Sequence, residues 1–325
     1  MKGPQEEIKS VAKGFAKYNY ICNEQLATAV YLAAKLEKPI LVEGPPGVGK
    51  TELANTAAKY YKKSLFRLQC YEGLDESKSL YEWRYGKQLL YTQILKEQMQ
   101  EVLEGATGLK DSLNRLLKFE DIFFSEEFLE SRPLLKALTS PEGSVLLIDE
   151  VDKSDEEFEA LLLEILSEFQ VSIPELGVKK ANIKPLVILT SNNSREIGDA
   201  LKRRCLHLYI PFPDVKLERR ILEARVPEIS ASLRKKLVDF VQGIRHLDLK
   251  KLPSISETID WAKTLILLNA KELDPKIAKD TLNVLLKHLL FPIIFKTIFT
   301  TSSIYIKSLD LFLLPLTISF LFLKI

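Results

Sequence analysis

Residues 40–51 read Ile40-Leu-Val-Glu-Gly44-Pro45-Pro46-Gly47-Val48-Gly49-Lys50-Thr51, and no other stretch narrows the possible folds so far. A short apolar run enters a loop of the form G-x-x-x-x-G-K-T. The loop leads straight into Glu52-Leu-Ala-Asn-Thr-Ala-Ala-Lys-Tyr, which reads as a helix. Strand, tight loop and helix in immediate succession belong to α/β architecture. The glycines let successive backbone N–H groups converge on an anion, and the helix adds the positive end of its dipole at the same place. In this chemistry Gly44 to Glu52 cradle phosphates, Lys50 reaches the β- and γ-phosphates, and the Thr51 hydroxyl is a ligand for Mg²⁺. A Gly/Pro turn that merely matches the pattern is the competing reading, and the rest of the chain argues against it.

Four further apolar runs read as buried strands: Leu65–Gln69, Val145–Ile148, Leu186–Thr190 and Leu206–Ile210. Helical or loop-forming sequence separates them, and residues 24–36 form a helix ahead of the first strand. Continuous apolar strands alternating with helices predict a mostly parallel sheet covered on both faces. Pro211-Phe-Pro213-Asp214 ends this pattern, and only helical segments follow: Val215–Ala224, Ser230–Gly243, Ser256–Leu268 and Pro275–His288. The expected organisation is an α/β domain over 1–213 and a small all-helical domain over 214–288. Residues 71–140 are longer than a simple crossover needs and read as an insertion. It holds a helical stretch at Gly86–Glu104 and an aromatic-acidic patch at Phe119–Phe128.

Val145-Leu-Leu-Ile-Asp149-Glu150 places two acids at the carboxyl end of a strand, where open α/β sheets bind their ligands. Asp149 suits the Mg²⁺ shell, and Glu150 suits activation of an attacking water. Leu186-Val-Ile-Leu-Thr-Ser-Asn192-Asn193 ends another strand in amides. An Asn there bridges water and γ-phosphate without adding charge, while an Asx turn or helix cap is the structural alternative. Arg203 and Arg204 precede the last strand, and arginine matches phosphate with a planar, permanently charged fork. Lys202 beside them reads as a solvated charge.

These four elements, in this order, resemble the AAA+ ATPases, and within them the MoxR group, especially its CoxD-like members. The resemblance covers residues 15–288. Walker A is Gly44–Thr51, Walker B is Val145–Glu150, sensor 1 matches Asn192, and the arginine finger matches Arg204, with Arg203 next to it. Finer similarity lies in Tyr71-Glu-Gly-Leu-Asp-Glu-Ser-Lys-Ser-Leu-Tyr81-Glu-Trp83-Arg-Tyr85 and in Pro253-Ser-Ile-Ser-Glu-Thr-Ile-Asp-Trp261-Ala. The resemblance implies an α/β AAA+ P-loop domain followed by a helical lid, with ATP and Mg²⁺ as cofactors. It also implies a homo-oligomeric ring, usually a hexamer, with sites between subunits. Chaperone-like remodelling follows, in maturation of a molybdenum enzyme beside a von Willebrand factor A-domain partner. Tyr81, Trp83 and Tyr85 alternate and share a face if extended. Gripping a client is one reading of them, and core packing or strand pairing is the other. One departure from the family is that Pro253–Glu257 lacks the sensor-2 arginine, for which Lys250 or Lys251 is a weak substitute.

The composition bounds the rest. The chain has 325 residues, 46% hydrophobic and 28% charged, with a net charge of +2. It is long enough for two domains, and it lacks the charge excess of a disordered or polyanion-binding chain. Near-neutrality with no long basic stripe speaks against a DNA-directed AAA+ protein. A nucleotide-gated scaffold with slow hydrolysis remains the other alternative. Cys22, Cys70 and Cys205 form no CxxC pair, which fits a reducing, cytoplasmic setting. The charged N-terminus is no secretory signal.

From 289 to 325 the character changes: no Gly, Ala, Glu, Val or Arg occurs, and Leu311–Leu323 is uncharged but contains Pro315. That run is shorter than the ~20 residues of a spanning helix. The repertoire matches A+T-rich codons under no selection for a fold. With 34 Lys against 12 Arg in the chain, the tail reads as a frameshift product after Leu286-Lys-His288. A membrane hairpin or interfacial helix is the reading if the tail is genuine.

Overall fold

A computed structural model of the chain describes residues 3–93, 108, 124–174, 176–247, 249 and 251–286. The described residues form two compact units. The first holds the N-terminal helix, Cys22–Gly44 and Lys50–Ile210; the second holds Asn19–Ile21, Pro45–Gly49 and the residues from Pro211 on.

The first unit is built on β1 (Ile40–Glu43), β2 (Ser64–Gln69), β5 (Ser144–Asp149), β8 (Leu186–Ser191) and β9 (Leu206–Tyr209). They form one parallel sheet in the order β2-β5-β8-β1-β9. Every residue of β5 and β8 is buried. This is why both read as unbroken apolar runs: a central parallel strand has no face for water. The register sets Gln69 beside Asp149, Ile148 beside Leu189 and Glu43 beside Ser191, so all four strands present their carboxyl ends together.

Helices α1 (Pro4–Ala16), α2 (Glu24–Leu36), α3 (Lys50–Tyr61), α4 (Glu76–Ser79), α5 (Pro133–Leu138), α6 (Glu156–Glu168) and α7 (Asp199–Arg204) complete this unit. Local chemistry starts several of them. Asn23 accepts from the Leu26 N–H at the head of α2, and Asp155 accepts from the Phe158 N–H at the head of α6.

Two small antiparallel pairs stand apart from the sheet. β3 (Tyr81–Trp83) pairs with β4 (Leu129–Ser131), and β6 (Gln170–Ile173) pairs with β7 (Gly177–Lys180). These short strands mix polar with apolar residues and lack the continuous apolar run that marks the similarly short β1. Strand pairing is thus the reading that holds for Tyr81 and Trp83. Trp83 is buried and makes edge contacts with Tyr81 and Phe124. Tyr85 does not continue the alternation; it begins a helical stretch from 85 to 93 and is exposed. The remainder of the helix expected at Gly86–Glu104, the start of the patch at Phe119–Phe128 and the whole tail after 286 lie outside the described residues.

In the second unit, α8 (Val215–Arg225), α9 (Ala231–Arg245), α10 (Ile255–Leu267) and α11 (Pro275–Leu285) pack around a core that includes Leu222, Leu237, Val241, Trp261 and Leu282. Trp261 is fully buried, and its indole N–H donates to Thr281 Oγ1 at 2.8 Å. A second buried polar contact crosses three helices. Arg245 donates to both oxygens of Glu218 at 2.7 and 2.8 Å, and Thr258 and Gln242 donate to the same carboxylate. Ser254 and Glu257 close a capping box at the head of α10. Among the described residues no helix is long and apolar enough to cross a membrane.

Candidate active site

The loop after β1 returns on itself through three glycines with positive φ: Gly44 at 148°, Gly47 at 72° and Gly49 at 98°. At Gly44 the requirement is steric as well. A Cβ there would stand 2.2 Å from the carbonyl oxygen of Ile210, a backbone atom with little room to move. At Gly47, a Cβ would meet the Ser254 side chain at 2.5 Å, within the second unit. The backbone N–H and hydroxyl of Ser256 both donate to the Gly47 carbonyl at 3.3 Å. Pro45, Pro46 and Val48 complete the loop. Glu52, in the first turn of α3, accepts from Asn55 Nδ2.

Lys50 opens α3 and is buried. Its ammonium donates to the Gly44 carbonyl at 2.6 Å and to Asn192 Oδ1 at 2.7 Å. Burial pulls its pKa down to about 8, against the opposing pull of Asp152, Asp149 and Glu150. Thr51 Oγ1 lies 3.1 and 3.2 Å from the two oxygens of Asp149. Asp149 is buried at the end of β5, where it also accepts from Thr190 Oγ1 at 2.6 Å and from Arg67 Nη2 at 2.7 Å.

Glu150 follows with φ 57°, a left-handed conformation uncommon for a residue with a side chain. Asn192 Nδ2 donates to its Oε1 at 3.2 Å, Gln69 Nε2 donates to its Oε2 at 2.9 Å, and Lys153 Nζ pairs with Oε2 at 2.6 Å. The Glu150 N–H donates to Thr190 Oγ1 at 2.9 Å, so one hydroxyl locks both acids to the neighbouring strand.

The structure therefore brings Lys50, Thr51, Asp149, Glu150 and Asn192 into one hydrogen-bonded array. Asn192 stands at its centre, accepting from Lys50 and donating to Glu150. Arg203 and Arg204 do not join it. They are exposed at the carboxyl end of α7.

Four participants escape sequence reading: Arg67, Gln69, Thr190 and Lys153. Arg67 and Gln69 lie two apart on β2, so both point to one face, and the register puts that face beside Asp149. Two polar residues at period two near the end of an apolar strand are the signal that was available. The oxygen donors of Thr51 and Asp149 suit a hard cation that keeps much of its own shell, as Mg²⁺ does. Among the described residues no cluster of three His, Cys, Asp or Glu offers an all-protein metal cage.

A five-stranded parallel sheet with a glycine loop, a lysine and an acid pair at its carboxyl end defines a P-loop nucleotide-binding protein of the α/β class. The chain belongs to the AAA domain family, dynein-related subfamily, whose profile matches residues 39–205. That family places it among the AAA+ ATPases. Solved structures similar to it include the RuvB Holliday junction branch migration motor of Thermotoga maritima, with 18% identity and a TM-score of 0.44. The match covers 86% of this chain and 69% of that one. Domain III of the replication initiation protein DnaA from Thermotoga maritima is similar at 14% identity and a TM-score of 0.45, covering 88% and 99% of the two chains. Likenesses this distant carry no argument about function. A search of curated proteins finds no match.

Proposed function

We propose that this chain hydrolyses ATP and spends the energy on remodelling a protein client, in the manner of the MoxR-type AAA+ proteins. The observation that carries the reading is the Lys50–Asn192–Glu150 array, which joins a phosphate ligand, a neutral amide and a carboxylate base in one continuous chain of hydrogen bonds. Gly44–Glu52 would hold the triphosphate, and Thr51 and Asp149 would hold Mg²⁺. A cation held there would supply neutralisation of the phosphate charge. Glu150 takes a proton from the attacking water, Asn192 orients that water against the γ-phosphate, and ADP leaves. Arg204, assisted by Arg203, acts on the site of a neighbouring subunit in a homo-oligomeric ring, expected to be a hexamer.

The finer role rests on the Tyr71–Tyr85 and Pro253–Ala262 stretches, which resemble CoxD-like members. It is maturation of a metalloenzyme in the cytoplasm beside a von Willebrand A-domain partner. The division into a P-loop domain over 1–213 and a lid over 214–288 belongs to the same reading.

Steady-state ATPase with Glu150→Gln tests the core of the proposal. Nucleotide binding is expected to persist while turnover drops by about 10²–10⁴-fold, the usual worth of a general base. Unchanged turnover removes Glu150 from its role. One observation favours the alternative of a slow nucleotide-gated scaffold: Gln69 and Lys153 both hold the Glu150 carboxylate and would compete with a water for it. ATP-dependent partner capture without client-stimulated hydrolysis would select that alternative.

A further inference from the structure

We infer that Asp152 is a positioning residue for hydrolysis, aiming the Asn192 amide by holding its backbone. Asp152 sits on the 3₁₀ turn Val151–Lys153, directly after Glu150, and is only 3% exposed. Both of its oxygens lie 3.2 Å from the Asn192 N–H, and one accepts from the Ser194 N–H at 2.9 Å and from the Ser194 hydroxyl. All of these donors are uncharged.

A buried carboxylate is an expensive way to fasten a loop, since its desolvation must be offset by the hydrogen bonds it accepts and by the charge of the nearby Lys50 ammonium. An asparagine or serine would hold the loop with less desolvation. What the charge adds is a stronger pull on the N–H groups of residues 192 and 194, with both oxygens sharing the first. Asn193 between them is held at φ 58°.

The geometry gives that rigidity a use. The Asn192 side chain must meet Lys50 at 2.7 Å and Glu150 at 3.2 Å at once. Its backbone is fixed upstream by the β8 ladder, which ends at Ser191, and downstream by Asp152. A rotation of the loop by an ångström breaks one of the two side-chain bonds, and a displacement of that size commonly costs about 10²-fold in rate. Because Glu150 and Asp152 share one turn, the base and the amide are set from the same three residues.

The inference rests on the reading of the site as one that hydrolyses ATP, and the experiment separates the two. In the full-length protein, Asp152→Asn keeps an acceptor of nearly the same shape and is expected to fold. It should lower kcat about tenfold with KM for ATP within about twofold, whereas a residue that only stabilises the fold would leave kcat per folded molecule unchanged. Combined with Asn192→Ala, it should add less than about twofold to the loss from Asn192→Ala alone, because both changes break the same arrangement.

Hydrogen exchange over residues 191–198, measured without nucleotide, should rise in Asp152→Asn and more in Asp152→Ala. Effects on kcat that multiply in the double variant overturn the inference, as does exchange indistinguishable from wild type. Wild-type protein that exchanges as expected yet turns over no ATP overturns the hydrolytic reading itself, and the inference with it.

Discussion

At Lys50, the backbone at the head of α3 places an ammonium in a buried position. Its pKa falls from 10.5 to about 8 for that reason. Between those two values the unfolded chain binds a proton that the folded chain does not, so this residue makes stability rise with pH across the window, and below it the full cost of the buried charge is present. Lys50→Met removes the cost. In nucleotide-free urea unfolding it should therefore be more stable than wild type near pH 7.5, with the gap narrowing as pH climbs towards 10. A gap that widens over that range would contradict the assignment.

Lys50, Thr51 and Asp149 were legible in the sequence because phosphate and Mg²⁺ chemistry dictates residue type and spacing together. Thr190, Arg67 and Gln69 were not. A polar residue in a strand reads as solvent-facing until the register shows that its neighbour is Asp149. Asn192 fell between these cases: its position after a strand suggested function, but only Lys50 on one side and Glu150 on the other show what an amide accomplishes there.

Among the elements, the β1–loop–α3 unit depends on Gly44 more than on any other joint. With φ at 148° and the Ile210 carbonyl 2.2 Å from where a Cβ would sit, Gly44→Ala must distort either β1 or the start of the loop. Strain of this kind costs about 1–3 kcal/mol before the clash is counted, so a loss of at least about 2 kcal/mol in equilibrium unfolding is expected.

In the helical unit, Glu218 is completely buried and Arg245 nearly so. Glu218→Ala would leave the guanidinium buried without its carboxylate, a change that costs about 3–5 kcal/mol. Glu218→Gln, which keeps an acceptor, should cost less. The long strands and helices could be read from the sequence to within a few residues, since apolar runs and caps mark them. The pairs β3–β4 and β6–β7 could not, because Tyr81–Trp83, Leu129–Ser131, Gln170–Ile173 and Gly177–Lys180 mix polar and apolar residues and lack the continuous apolar run that marks the similarly short β1.

For the whole molecule, the finger role proposed for Arg204 carries the expectation of assembly. Arg204→Ala and Lys50→Ala proteins should each be inactive in ATPase assays, yet a mixture should regain part of the activity. Each can supply what the other lacks if the finger works across subunits, whose worth in rate is about 10³–10⁵. No recovery in a mixture shown to co-assemble would place Arg204 elsewhere in the mechanism. The parallel sheet was legible from strand composition, but its order was not, since no local signal says that β8 lies between β5 and β1.

The two tryptophans of the chain divide neatly between the units. Trp83 is packed against Tyr81 and Phe124 in the first, and Trp261 lies among the helices of the second. Both are shielded from water. The protein thus carries an intrinsic optical probe in each core, and Trp83→Phe or Trp261→Phe leaves one of them silent. Fluorescence of the two single-tryptophan proteins through a denaturant titration would report each unit's melting separately, with no label attached.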